Sequence, residues 1–218
     1  STGHENIGVY DENNVRGFSP GSAGNFRMEG MYFDIQGGLG GRVIDGETIR
    51  VGPAAQGYAF PAPTGIADLQ LKKAGDKFVV SPFVSIDSFG GTPLEMDAQI
   101  PLAGKELSVN AGFGVYNNRY ANGAGSRGYN VGIVPRWRPA KGVELLAFYN
   151  RQQNIDETQQ ALFIPTGNFL PRGIKPGRFL GPDWATESDH SQTFGMVGHA
   201  SMGDWTLRGG LFRSAYDG

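Results

Sequence analysis

The sequence predicts a mainly β protein, and three observations lead to this prediction. Apolar and polar residues alternate over segments of about ten residues throughout the chain after residue 76. The connections between these segments are alternately short and long. Glycine accounts for 35 of the 218 residues, but no apolar stretch is long enough to form a membrane-spanning helix.

Seven segments are predicted to be antiparallel strands with two different faces. In the segment 94–101, Leu94 and Met96 lie on one face, whereas Glu95 and Asp97 lie on the other. The alternation predicts strands at 78–87, 94–101, 107–116, 129–138, 143–151, 190–201 and 205–215.

The connections favour a membrane β-barrel over a soluble antiparallel sandwich with one wet face, since alternation alone is typical of both. Tight turns are predicted at 102–105, 139–142 and 202–204. The longer connections between them are 88–91, 119–128 and about 35 residues from Gln153 to Asp189. Short turns at one end and long loops at the other are typical of such barrels. Aromatic residues also occur near the strand ends, as in an aromatic girdle: Tyr116, Tyr120, Trp137, Tyr149, Trp205 and Tyr216.

Composition excludes several functions. The net charge is −2, from 19 basic and 21 acidic residues, so nothing indicates a nucleic-acid partner. Cysteine is absent, which excludes disulfides, thiolate metal sites and a cysteine nucleophile. We predict no catalytic residue, no cofactor and no bound metal.

The first third of the chain contains four short motifs in a fixed order. They are N-V-R-G-F (14–18), R-M-E-G-M-Y-F-D (27–34), T-I-R-V-G-P-A-A-Q-G-Y (48–58) and T-G-I-A-D-L-Q-L-K (64–72). In this order and spacing they resemble the plug domain of TonB-dependent outer-membrane receptors of the ferric siderophore type. The third motif departs from the family pattern, because Val51 separates Arg50 from Gly52 and Ala55 replaces a serine. The fourth departs as well, since it reads G-I-A-D-L where the family has G-V-I-N-I.

The resemblance implies a fold and a function. It implies that 1–75 is the C-terminal part of a plug domain and that 76–218 begins a transmembrane barrel of about 22 strands. Seven strands cannot close such a barrel, so we expect the chain to be a fragment of a receptor in the outer membrane of a Gram-negative bacterium. The implied function is import of a ferric siderophore or similar chelate. Its implied partners are outer-membrane lipid and a TonB-type energy-coupling protein, which would bind a segment missing here.

The resemblance also implies roles for particular residues. Arg16 is expected to anchor the plug to carboxylates of the barrel lumen, with Glu95 and Asp97 as its partners. The loops 19–26 and 34–41 are expected to face outward and to contact the ligand through Asn25, Phe26, Gln36 and Leu39.

The long connection between the fifth and sixth predicted strands is a second candidate for ligand contact, through Trp184. It combines four aromatic side chains with three cations, which are Phe163, Phe169, Phe179 and Trp184 with Arg172, Lys175 and Arg178. Aromatic rings beside cations suit an anionic chelate. A surface loop without a binding role is the alternative interpretation.

Two further patterns suggest other functions. The string G-A-G-S-R-G (123–128) matches a dinucleotide-binding motif, but it lies between two strands, so we interpret it as a loop tip. His190 and His199 fall on opposite faces of one predicted strand, about 30 Å apart, and cannot share a metal. A barrel-embedded hydrolase using one of these histidines with Ser191 or Ser201 is one alternative function. A soluble β-rich binding module is the other.

Overall fold

The computed structural model describes residues 19–62, 64–158, 164, 166–168 and 175–218, and the strands within this part of the chain form two sheets. The small sheet contains β1 (Phe26–Met28), β2 (Met31–Tyr32), β3 (Ile44–Arg50) and β4 (Ile66–Leu71). The large sheet contains β5 (Val79–Val84), β6 (Leu94–Ala103), β7 (Leu107–Arg119), β8 (Gly125–Ala140), β9 (Val143–Thr158), β10 (Thr186–Met202) and β11 (Trp205–Asp217).

The small sheet has the strand order β2-β1-β4-β3. Its central strands β1 and β4 are parallel, and the outer strands pair with them in the antiparallel sense. Gly30 closes the tight turn between β1 and β2 with φ of +81°, a conformation that favours glycine. A short 3-10 helix, Gly52–Ala55, follows β3, and Pro53 suits its first turn because proline fixes φ there.

The large sheet is a seven-stranded antiparallel meander in the order β11-β10-β9-β8-β7-β6-β5. The seven predicted strands are therefore confirmed, together with the parity of their two faces. The first strand, β5, is shorter than predicted, and the other six are longer. The largest extensions are in β7 to β10, because pairing continues through polar residues, up to Thr158 with Thr186 and Arg119 with Gly125. The connections shorten accordingly to 120–124 and 159–185, and Gly125–Gly128 belongs to β8 rather than to a loop tip.

The two faces of the large sheet have different environments. One face is exposed and apolar, with side chains such as Phe113, Ile133 and Leu211. The other face is covered by the small sheet, and we call these the outward and inward faces. None of the described residues forms a helix long and apolar enough to cross a membrane.

A single apolar cluster joins the two sheets. Met28, Phe33, Val43, Leu69 and Leu71 come from the small sheet and its flanking segments. The inward face of the large sheet supplies four further buried side chains, which are Val134, Leu146, Phe148 and Val197. Burial of this apolar surface holds the small sheet against the large one.

Phe33 is the largest fully buried side chain of this cluster, and its ring packs edge-to-face on Phe212 with 5.2 Å between centroids. Replacing it by alanine, Phe33→Ala, is expected to destabilise the packing of the two sheets by about 3–5 kcal/mol because it leaves a cavity. The thermal unfolding midpoint of the full-length protein measures this effect. Phe60→Ala is the matched control, since Phe60 is 68% exposed. Equal midpoints for the two variants would contradict the proposed role of the cluster.

Candidate anchoring site and ligand surface

Residues 36–42 form an irregular segment that crosses the inward face of the large sheet and enters a turn at 41–43, and we call 36–42 the crossing segment. The side chains of the large sheet bind its backbone. The Gln36 amide donates to Ser214 Oγ at 3.1 Å, and Ser191 Oγ donates to the Gly38 carbonyl at 3.0 Å.

The same pattern continues on the neighbouring strands. The Gly40 amide donates to Asn150 Oδ1 at 3.3 Å, and Asn110 Nδ2 donates to the Arg42 carbonyl at 3.3 Å. The contacts thus pass in order from β11 through β10 and β9 to β7. Strands β11 and β7 are four strand spacings, or about 19 Å, apart, a distance that the six residue steps from Gln36 to Arg42 can span. The crossing segment therefore runs nearly perpendicular to the strands.

The crossing segment ends in a cluster of charged side chains. The Arg42 guanidinium donates to Asp97 Oδ2 at 2.9 Å and to Glu95 Oε2 at 2.7 Å. Lys72 Nζ lies 2.8 Å from the same Asp97 oxygen. The Arg42 side chain is only 10% exposed, so these contacts are partly shielded from water. The cluster therefore joins β6 to two points of the small-sheet region.

Two glycines make room for Arg42. A Cβ atom on Gly132 would lie 2.7 Å from Arg42 Cβ, and one on Gly112 would lie 3.2 Å from Arg42 Cδ. A larger residue at Gly132 would displace the crossing segment from the sheet, whereas one at Gly112 would displace the Asp97 side chain, whose Oδ1 lies within clashing distance of that Cβ position. The high glycine content of these strands thus has a packing reason at this site.

The structure places the predicted anchoring residues as follows. Glu95 and Asp97 face inward and bind Arg42. Arg16, their predicted partner, lies outside the described residues, so its role stays a prediction. Arg42 was not among the anchoring residues predicted from the sequence. A cation directly after the glycine-rich string 37–41, with two carboxylates on one strand face, was the available signal.

The predicted ligand contacts of the plug-like region lie in different environments. The side chain of Gln36 is exposed. Asn25 Nδ2 donates to Thr64 Oγ1 at 3.1 Å, which ties the two loops together. Phe26 and Leu39 are half-buried and pack against the apolar cluster. The segment 34–41 is therefore held along the inward face for part of its length instead of projecting as a free loop.

Trp184 is 83% exposed and lies in the connection between β9 and β10. Lys175 and Arg178 in the same connection are also exposed, whereas Phe163, Phe169 and Arg172 lie outside the described residues. The connection is docked on the neighbouring one, because the Gly177 amide donates to the Ala121 carbonyl at 2.7 Å. This contact brings two of the long connections together.

The carboxylate of Asp68 on β4 holds neighbouring segments of the small sheet together. The Asp68 carboxylate accepts from the Gly30 amide at 2.9 Å and from the Tyr58 hydroxyl at 2.8 Å. Burial raises the pKa of Tyr58 above its ordinary value, and the bond to Asp68 and its negative charge raise it further. Tyr58 thereby fastens the 56–60 loop onto β4.

The geometry gives little support to a hydrolase. His190 and His199 lie on opposite faces of β10, as predicted. His199 shares a cavity with Ser201 and Glu144, but Glu144 already binds Arg136 at 2.5 Å. The Ser191 hydroxyl donates to the Gly38 carbonyl. Among the described residues, no group of three metal-binding side chains is found.

Comparisons with known proteins found matches among solved structures but none by sequence. No family model matches the chain, and no curated protein matches its sequence. Several solved structures match. The siderophore receptor PiuA from Acinetobacter baumannii has a TM-score of 0.72 at 14% identity, over 93% of this chain and 30% of that chain.

Two other receptors match similarly. The ferric-catecholate import receptor Fiu from E. coli K12, in its open form, has a TM-score of 0.62 at 16% identity, over 88% of this chain and 31% of that chain. FpvA from P. aeruginosa, bound to heterologous pyoverdines, has a TM-score of 0.64 at 14% identity, over 83% of this chain and 26% of that chain. The chain thus spans about a third or less of the length of these receptors.

These similarities define the class of fold. The small sheet corresponds to part of a receptor plug, and the large sheet corresponds to strands of the receptor barrel. The fold predicted from the four motifs and the strand pattern, that of a TonB-dependent siderophore receptor, is confirmed.

Removing the cation of the charged cluster, by Arg42→Ala, is expected to loosen the crossing segment. Glu95 loses its cation and Asp97 keeps only Lys72, at a cost of about 1–3 kcal/mol. This is less than the ~3–5 kcal/mol for a fully buried pair, because the Glu95 side chain is 30% exposed. Hydrogen exchange of the Gly40 amide in the full-length protein should become faster.

Arg127→Ala is the control for Arg42→Ala, because Arg127 pairs with Asp156 at an exposed position. Its effect should stay within about 1 kcal/mol. Equal exchange rates at Gly40 in the Arg42 variant and in the unmodified protein would show that the charged cluster does not hold the crossing segment.

The raised pKa of Tyr58 predicts a pH dependence. The folded state retains the phenolic proton of Tyr58 to higher pH than the unfolded state. The contribution of protonated Tyr58 to the stability of the folded state is therefore fully present below about pH 10. That contribution is lost as pH rises through the folded-state pKa. Hydrogen exchange in the 56–60 loop should therefore accelerate above this pH. Tyr58→Phe should flatten this dependence, and an unchanged pH profile would contradict it.

Proposed function

We propose that the protein containing this chain imports a ferric siderophore or similar metal chelate across the outer membrane of a Gram-negative bacterium. The observation that carries the proposal is the plug-like small sheet packed on the inward face of a large antiparallel sheet. Three solved structures with this arrangement are described as siderophore, ferric-catecholate import or pyoverdine-bound receptors. Transport of this kind involves no covalent step, so we propose that the protein is not an enzyme.

We propose that residues 1–75 belong to the plug and residues 76–218 to the barrel. The proposed boundary between the two domains lies in the connection between β4 and β5. Arg42, Glu95 and Asp97 would form an anchor between the two domains. A TonB-type energy-coupling protein would supply the energy for import.

The direction of the small sheet supports a ligand surface on the side of the long connections. Strands β1 and β4 run parallel from Asn25 and Thr64 toward Glu29 and Lys73. Glu29 and Lys73 line a cavity with Ser201 and other residues beside a tight turn of the large sheet. The end that carries Asn25 therefore points away from the tight turns.

We propose that the ligand contacts Trp184, Gln36 and Asn25, with Lys175 and Arg178 attracting its negative charge. An exposed indole in the same connection as two exposed cations suits an anionic chelate with aromatic groups. Phe26 and Leu39 remain proposed contacts. Because both pack against the apolar cluster, their replacement tests packing as well as binding.

Uptake of radiolabelled iron by cells that express the full-length receptor tests the function. Saturable uptake of at least one ferric chelate is expected, and it should require the energy-coupling partner. A panel of catecholate, hydroxamate and mixed chelates, with cobalamin included, covers the chemical classes. Lack of saturable uptake for every compound would refute the proposal, and uptake of cobalamin alone would refute the iron assignment.

Trp184→Ala is expected to weaken binding of the transported chelate about tenfold, because a large aromatic contact typically contributes about 1–2 kcal/mol. Titration calorimetry on the full-length receptor measures the affinity. Trp205→Ala is a matched control, since Trp205 is 76% exposed but lies beside a tight turn. Unchanged affinity in the Trp184 variant would move the ligand surface to Gln36 and Asn25.

A further inference from the structure

Arg151 and Arg213 interrupt the apolar outward face of the large sheet. Arg151 on β9 follows Asn150, which binds the crossing segment, so Arg151 points to the opposite face. Arg213 on β11 precedes Ser214, which also binds the crossing segment, so Arg213 points outward as well. Both arginines therefore lie on the apolar outer side of the sheet.

The two arginines flank the same strand. Arg151 is paired with Gln192 of β10, and Arg213 is paired with Phe194 two residues further along. Two strand spacings and two residues of rise separate their Cα atoms by roughly 12 Å. We call Arg151, Arg213, Gln192 and the hydroxyl of Tyr149 the outward arginine patch.

The charges of the patch lack a partner within the described part of the chain. Neither guanidinium has a carboxylate at ion-pair distance, whereas the outward Arg127 pairs with Asp156. Arg151 Nε is buried without a hydrogen-bond partner. The Arg213 guanidinium lies 6.0 Å from the centre of the Phe194 ring, which leaves its N–H groups free to bind an anion.

The height of the patch matches a lipid headgroup. From Arg213 down β11 to Trp205 and from Arg151 down β9 to Val143, the outward positions carry no charged side chain. Each run is eight residue steps, or about 27 Å of strand, which corresponds to about 20 Å of height at the usual tilt of 35–45°. The apolar band of such barrels is about 25 Å tall. The arginines therefore lie at its edge, on the side of the long connections.

We infer that the outward arginine patch binds the phosphate of an anionic lipid in the membrane leaflet on the side of the long connections. Two arginines about one headgroup apart can hold phosphate oxygens through charge-assisted hydrogen bonds. Gln192 Nε2 donates to Tyr149 Oη at 3.3 Å and adds polar groups between them. This inference rests on the proposed location of the protein in a membrane.

Lipid retention by the full-length receptor tests this inference without any transport assay. The receptor is reconstituted in phosphatidylcholine vesicles that contain either phosphatidylglycerol or lipid A, extracted, and analysed by native mass spectrometry. The unmodified receptor should retain the phosphate-bearing anionic lipid in preference to phosphatidylcholine. The double variant Arg151→Gln, Arg213→Gln should lose this preference by about fivefold for each arginine removed.

Three controls make the result decisive. Arg127→Gln removes an outward but already paired arginine and should leave retention unchanged. The double lysine variant, Arg151→Lys with Arg213→Lys, keeps the charge and should retain most of the preference. Inorganic phosphate at millimolar concentration should not displace the lipid, and complete displacement would indicate a site for a free anion and overturn the inference.

Equal lipid retention by the unmodified receptor and the double glutamine variant would also overturn the inference. If that variant does not assemble, Arg213→Gln alone, at an exposed position, should lower retention about fivefold, and unchanged retention again overturns the inference. A receptor that imports a chelate but shows no lipid preference would refute only the lipid site. A receptor that retains the lipid but imports nothing would refute only the proposed transport.

Discussion

The packing of the crossing segment on the inward face is the interaction on which the rest of the structure depends. An extended chain laid against a sheet face brings backbone N–H and C=O groups that need hydrogen-bond partners. Since the strands already use their own backbone groups for each other, the partners must be side chains. Ser191, Asn150, Asn110 and Ser214 supply them, one from each of four strands. The polar character of the inward face thus complements the backbone of the crossing segment.

The crossing segment lies close to the strands of the large sheet, and this requires residues of small volume on both sides. The crossing segment contains four glycines, at 37, 38, 40 and 41. The large sheet has Gly112 and Gly132 beneath Arg42. The two backbones can therefore approach closely enough for short polar side chains of the sheet to reach the backbone of the crossing segment. The long Arg42 side chain fits over these glycines. Glycine in strand interiors ordinarily costs stability. Here that cost is offset by the hydrogen bonds and ion pairs that close approach permits.

The sequence predicted the fold because strand alternation and turn chemistry are local signals, and all seven strands of the large sheet follow them. The strand ends were less predictable, since the polar residues of 152–158 and 186–189 resemble a loop in composition but continue the pairing. The site was predicted only in part. Glu95 and Asp97 were identified from their strand face, but their contact with Arg42 depends on the path of residues 36–42. That path is set by hydrogen bonds to residues more than 60 positions away, which no local pattern contains.

The two kinds of contact between the small and large sheets differ in how they would respond to a pulling force or to a change of solvent. The apolar cluster around Phe33 loses its stabilisation gradually as water enters, because burial is non-directional and proportional to area. The contacts of Arg42 with Glu95 and Asp97 depend on distance and alignment, so a shift of a few ångströms breaks them. Once water reaches the separated charges, hydration compensates most of the lost attraction. An anchor of this kind holds the small sheet in one register while it is dry, and offers little resistance after the first displacement.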